Sequence, residues 1–167
     1  MFRKIEDFLK AYENVTEGTS RLFAALDDKA LGQAVSEGYR NVGQIAWHIV
    51  VTVPEMMSKT GLKVSSVNEQ APPPASAAEI QRAYHQVASE LAETVKTGWK
   101  DETLAHEDEM YGQKWARGLT LTALIDHEIH HRGQITVLLR QAGRRVPGLM
   151  GPSKEEWGQY GMEAPPY

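Results

Sequence analysis

Apolar residues recur at three- and four-residue steps over most of this chain, a period that fits the α-helix and no other regular structure. Ile5, Phe8, Leu9, Tyr12, Val15, Leu22, Phe23 and Leu26 form the first stripe, interrupted by Gly18, where the spacing predicts a kink. A second helix is predicted from about Asn41, a capping residue, to about Gly61, a stop. Its stripe is Ile45, His48, Ile49, Thr52 and Met56, with Pro54 predicted to bend it. The run Ala71-Pro72-Pro73-Pro74 fits neither a helix nor a central strand and reads as a connector. Beyond it, Ser76 and Glu79 are spaced as a capping box for a third helix carrying Ile80, Tyr84, Val87, Leu91 and Val95 to near Gly98. Residues 99–118 read as an irregular crossover. The fourth helix is expected from about Thr120 to Gln141, with Gly143 ending it and Pro147 beyond. Ser153 and Glu156 are spaced as another capping box before a short last helix. No segment alternates over strand length, so the expectation is an all-α fold occupying residues 1–167 as a single domain.

Composition narrows the chemistry. The 167 residues include no cysteine, which excludes disulfides, Cys-ligated zinc, iron–sulfur clusters and a protein thiol nucleophile. The formal net charge of −4 provides no electrostatic footprint for nucleic acid. The arginines at 132, 140, 144 and 145 cluster late, where a helix C-terminus attracts cations in any case. MFRKIEDFLKAYENV mixes charges with apolar residues and does not read as a secretory leader. No window approaches the roughly 20 apolar residues that cross a bilayer. A cytoplasmic protein with no membrane partner is the expectation.

The residues that carry chemistry lie in Asp126-His127-Glu128-Ile129-His130-His131-Arg132-Gly133-Gln134. Side chains four apart on a helix share a face, so His127 and His131 can converge on one ion. They lie on the side of Leu124, Gln134, Ile135 and Leu138. His48 sits within the apolar stripe of another helix, between Ile45 and Ile49. Imidazoles on two inward faces are a standard way to build a metal site in a bundle core. A lone histidine on an apolar face is more often a hydrogen-bonded core residue; three together shift the balance toward a metal. His130, three residues from His127, also has workable spacing, but His131 keeps both ligands on the apolar side. The bare HExxH pattern is met at positions 127–131, which would make Glu128 a base between two ligands. Gly133 predicts close approach by another helix, and Arg132 and Gln134 are placed to orient ligands, with an exposed cation the other reading of Arg132. Tyr84 is expected in the core, within reach of the pocket; His85 and His106 are expected at the surface.

The run from His127 to Gln134 resembles the HxxHHRGQ signature of the DinB/YfiT-like family, which is distinct from the DNA polymerase sharing part of that name. The segment Asn41 to His48 resembles the family's second-helix ligand motif, and Gln141 to Pro147 with Met150 to Ser153 is similar to its usual ending. The resemblance spans essentially the whole chain. It implies a four-helix bundle with a crossover connection, and zinc or nickel held by three histidines, here His48, His127 and His131. It further implies a homodimer and a small-molecule substrate.

Three neutral imidazoles leave positions open on a divalent ion, as in catalytic sites. Relatives that use low-molecular-weight thiols make a thiol S-transferase the leading expectation, with the thiol supplied by a cofactor since the chain has none. A metal-dependent hydrolase is the second, with Glu55, Glu109 and Glu128 as candidate bases. A non-catalytic, stress-induced protein that binds metal or a small ligand is the third.

Overall fold

The computed structural model describes residues 1–166. Four long helices account for most of it: α1 (Ile5–Ala24), α2 (Val42–Ser58), α3 (Ala77–Gly98) and α4 (Arg117–Gln141). Every predicted helix is present, and α2 is the most deeply set, buried on nearly all sides. α1 packs on α3 and α4, and α2 also packs on α3 and α4. Helices consecutive in sequence, α1 and α2, therefore lie on a diagonal of the bundle, as do α3 and α4. That arrangement requires crossover connections, at residues 25–41 and 99–116, rather than short hairpin loops. Among the described residues, no helix is long and apolar enough to cross a membrane.

The stripes read from the sequence face one core. Phe8, Tyr12, Leu22 and Phe23 of α1 meet Ile80, Tyr84, Val87, Leu91 and Val95 of α3, with Ile49 and Met57 of α2 and Leu121, Leu124 and Ile135 of α4. α1 runs without a break through Gly18. Gly18 serves a packing purpose: a Cβ there would stand 2.5 Å from Arg132 Nη1, so the missing side chain makes room for a buried guanidinium.

Helix ends are capped partly from a distance. Asn41 and Gln44 form a reciprocal capping box at α2, each side chain bonded to the other's backbone N–H. Ser76 does precede α3, but its hydroxyl caps nothing. Asp28 takes that role, accepting from the Ala77 N–H at 2.8 Å, while Asp101 accepts from the Ile5 N–H at the start of α1. The Ser153–Glu156 box is half formed: the Glu156 carboxylate accepts from the Ser153 N–H, but Ser153 Oγ has no partner among the described residues. A short 3-10 turn, Trp157–Tyr160, follows it.

Residues 99–118 are more ordered than expected. A 3-10 turn, Asp101–Ala105, leads into a hairpin of β1 (Glu107–Met110) and β2 (Gln113–Ala116), paired antiparallel with Met110 opposite Gln113. The two-residue loop Tyr111-Gly112 has φ of 53° and 79°, the double left-handed geometry that matches strand twist. Glycine adopts it freely; tyrosine does not. The hairpin feeds directly into α4, which starts at Arg117 rather than Thr120. Arg117 holds the junction with two bonds to Asp108, at 2.7 and 3.1 Å, and one to Thr60 O at 2.9 Å.

Gly133 corrects an expectation. No helix approaches it, and a Cβ there would meet nothing within 4 Å. An exposed helical glycine with free space carries only an entropic cost. Gly133→Ala is expected to stabilise the protein by about 0.5–1 kcal/mol, seen as a rise of roughly 2–3 °C in melting temperature. A lower melting temperature would mean the backbone at 133 needs the freedom of glycine.

Candidate metal centre

α2 and α4 pack side by side, and His48, His127 and His131 face each other across that seam. His48 occupies the stripe position between the buried Ile45 and Ile49. His127 and His131 are one turn apart, and their ring centroids lie 4.3 Å from each other. His127 Nε2 is 3.1 Å from His48 Nε2 and 3.1 Å from His131 Nε2. The three candidate donor atoms lie within 4.8 Å of one another, so one ion could take all three. Two nitrogens each about 2.0–2.1 Å from a tetrahedral zinc would stand roughly 3.3 Å apart, close to the spacing seen here.

Protons alone serve this arrangement poorly. His131 Nδ1 lies 2.7 Å from Gln134 Oε1, which only accepts, so Nδ1 carries the proton and Nε2 of the neutral ring is bare. Gln134 Nε2 donates to His130 Nε2 at 3.1 Å, which sets the amide's orientation. His127 Nε2 can then donate to His131 Nε2, but the same atom cannot accept from His48. Three bare nitrogens turned to one point are instead what a cation requires. The protonation states agree. Burial pushes His48 down to about 4, aided by the positive charge of Arg40. Burial likewise pushes His127 down to about 4, with His131, His48, His130 and Arg40 adding to it, and lowers His131. The rings are therefore neutral, and ready to ligate, at physiological pH.

The cluster lies between two cavities. One, of about 440 Å³, is lined by His48, His127, Glu55, Glu69, Tyr111 and Trp115 among others. The other, of about 600 Å³, is lined by His131, Gln134, Arg40, Tyr39, Val35 and Val137 with Gly38, Ile45 and Leu138. Tyr111 explains the hairpin's unusual turn. Held in the left-handed region, it reaches α2, where its hydroxyl donates to Glu55 Oε2 at 2.7 Å. Lys59 pairs with Glu55 Oε1 at 3.1 Å and lies 5.2 Å from the Tyr111 ring centre. Trp115 meets Tyr111 edge-on at 5.8 Å and completes an aromatic wall. Neither aromatic was singled out from the sequence; Gly112 was the one available signal, and Tyr-Gly is a weak hairpin mark beside Asn-Gly.

The remaining candidates separate cleanly. Glu55 shares a cavity with the histidines, whereas Glu109 lines neither one. Glu128 turns away from the imidazoles into the core, where it is 2% exposed and accepts from the Thr19 and Tyr84 hydroxyls. The apparent HExxH pattern thus has no base where a metalloprotease needs one. Arg132 also points inward, 3% exposed, donating to Val15 O at 3.0 Å; it orients no ligand and is not a surface cation. Gln134 is hydrogen-bonded to His131, one of the candidate ligands, and His130 is exposed beside it. Tyr84 is a core residue bonded to Glu128, and His85 and His106 are exposed.

The chain is similar to known proteins over nearly its whole length. The sequence profile of the DinB family matches residues 1–163. An uncharacterized protein of Bacillus subtilis strain 168, YrdA, is 41% identical over 165 residues, covering 99% of each chain. A crystal structure of a DinB-like protein from Bacillus cereus ATCC 10987 superposes with a TM-score of 0.84 at 38% identity, covering 89% of this chain and 99% of that one. A second DinB-like structure, YjoA of Bacillus subtilis, shares the fold with a TM-score of 0.68 at 17% identity, covering 86% and 97%.

Proposed function

This chain belongs to the DinB family, and from that premise we propose that it holds one divalent metal ion, zinc or nickel, on Nε2 of His48, His127 and His131 and works as a low-molecular-weight-thiol S-transferase. The convergence of three neutral ring nitrogens, where a single proton on His127 cannot give each of its two 3.1 Å neighbours a bond of its own, carries the metal part of the reading. A bound ion of this kind supplies a Lewis acid that stabilises a thiolate at neutral pH, where a free thiol is mostly protonated. Everything else falls to the chain. Gln134 holds the His131 ring in the tautomer that leaves Nε2 bare. Val51, Met56, Tyr111 and Trp115 build an apolar and aromatic wall for an electrophile beside His48 and His127. Because the chain has no cysteine, the attacking sulfur arrives with a small cofactor.

Glu55 favours one second reading, a metal-dependent hydrolase in which this carboxylate takes a proton from water. Both of its oxygens are already engaged, one by Lys59 and one by Tyr111, so neither is free to take a proton from water, and we place thiol transfer first. The test is to load the protein with zinc and supply cysteine, glutathione or coenzyme A with chlorodinitrobenzene. The thiolate forms a carbon–sulfur bond as chloride leaves, and the product is read by absorbance. The expected result is conjugation faster than in metal-stripped protein, with the acceleration lost in His48→Ala. Cobalt-loaded protein is expected to change its visible spectrum when the active thiol is added. No turnover and an indifferent spectrum with every thiol would overturn the transferase reading, and ester cleavage without thiol would support the hydrolase.

A further inference from the structure

The two cavities beside the histidines differ in charge. The one under Tyr111 and Trp115 carries Glu55 and Glu69; the one on the other side carries Arg40 and no carboxylate. Arg40 stands at the end of the α1–α2 connection, just before the cap of α2, and is exposed. Its guanidinium forms no ion pair or hydrogen bond among the described residues. Arg21, Arg117, Arg140 and Arg144 each pair with a carboxylate, while Arg3, Arg82 and Arg145 are unpaired like Arg40 among the described residues but line neither cavity beside the histidines.

The walls around it are apolar and open to solvent. Val35, Tyr39 and Val137 are 62%, 69% and 56% exposed, and all three line this cavity. Large apolar side chains left open around one unpaired guanidinium, next to a candidate metal centre, describe a ligand rather than a protein core. The recognisable chemistry is an apolar body carrying an anionic group, which a planar fork of donors grips in two places.

We propose that this cavity is a binding pocket for a small organic carboxylate, with Arg40 pairing the carboxylate and Tyr39, Val35 and Val137 covering the apolar body. The pocket opens on His131, so a ligand anchored there has its other end at the histidine cluster. Glu55 and Glu69 on the far side repel the same carboxylate and give the ligand a single orientation. The proposal rests on the histidine cluster being the reacting centre, but the pocket itself can be tested without any metal.

The experiment titrates phenylacetate and its neutral analogue phenylacetamide into the full-length protein by calorimetry, in zinc-loaded and in chelator-stripped form. The expected result is a preference of about tenfold or more for the carboxylate in both forms, since a charge-assisted bidentate pair is worth that much. Arg40→Ala should abolish the preference, and Arg40→Lys should retain part of it, because the charge survives and the fork does not. Arg40 touches nothing that folding needs, and an unchanged melting temperature checks this. Failure to take up zinc would defeat the metal reading and leave the carboxylate preference of stripped protein to stand or fall by itself. Equal affinity for acid and amide, or a preference seen only with zinc and indifferent to Arg40→Ala, would overturn the pocket, the second because the ion alone would then be holding the anion.

Discussion

Arg132→Met is expected to destabilise the protein by about 2–3 kcal/mol, because it removes a buried charged donor from Val15 O and the positive charge nearest the buried Glu128 carboxyl. For a chain of this length that corresponds to a fall of roughly 5–10 °C in melting temperature. Arg132 lies under α1 in the space left by Gly18, donates to Val15 O, and offsets the charge of Glu128 one turn earlier. Burial pushes the Glu128 carboxyl up, while bonds from Thr19 and Tyr84 and the Arg132 charge pull it down. Without Arg132 the upward push has less opposing it. A carboxyl whose folded pKa lies above its unfolded value contributes stability below the ordinary carboxylate range and loses it as pH rises through the folded pKa. The deficit of the variant should therefore grow as pH rises above the ordinary carboxylate range. Adding Glu128→Gln should recover part of the loss, since the buried charge goes and the amide can still accept from Tyr84. Denaturation curves at several pH values test this. A loss under about 1 kcal/mol, flat with pH, would mean that the pair contributes little to stability.

The other large effect concerns the histidines. His127→Ala and His131→Ala are each expected to abolish stoichiometric metal retention, lowering affinity by more than about 100-fold, since removing a group that merely orients a ligand already costs 10–100-fold. Gln134→Leu belongs to that milder class, because it frees the His131 ring to take the wrong tautomer. His130→Ala should leave most of the binding, as that ring is exposed, meets His131 edge-on and has its Nε2 bonded to Gln134 rather than turned to the other three rings. Metal analysis after dialysis, followed by titration against a competing chelator, ranks the four variants. Equal losses at 127, 130 and 131 would place the ion elsewhere on α4.

How much of this was legible depends on how far apart in the chain the interacting residues lie. The stripes of α1 to α4 were readable because core burial imposes a helical period on neighbouring residues. His127 and His131 were readable as a pair for the same reason, and Asn41 as a cap because its partner Gln44 is three residues away. His48 was readable only as a polar residue within an apolar stripe. The capping of α3 was misassigned because Asp28, which performs it, lies 49 residues from Ala77. The hairpin was missed because its strands are four residues each and its exposed face carries no clean alternation.

The sequence by itself determined four helices, their inward faces, and a face of α4 on which two imidazoles stand one turn apart; these follow from periodicity, which is a local property of the backbone. Tertiary structure alone decided what stands opposite each face. Gly18 reads as a weak point in α1 until Arg132, over a hundred residues away, is seen filling its space. Glu128 reads as a base between two ligands until Thr19 and Tyr84 are seen drawing it to the other side of the helix. Tyr111 and Arg40 read as ordinary loop residues until the diagonal order of the helices sets one on each side of the histidines. A helix pattern records which side is buried and not which neighbour buries it, and the chemistry of a site lies in that second fact.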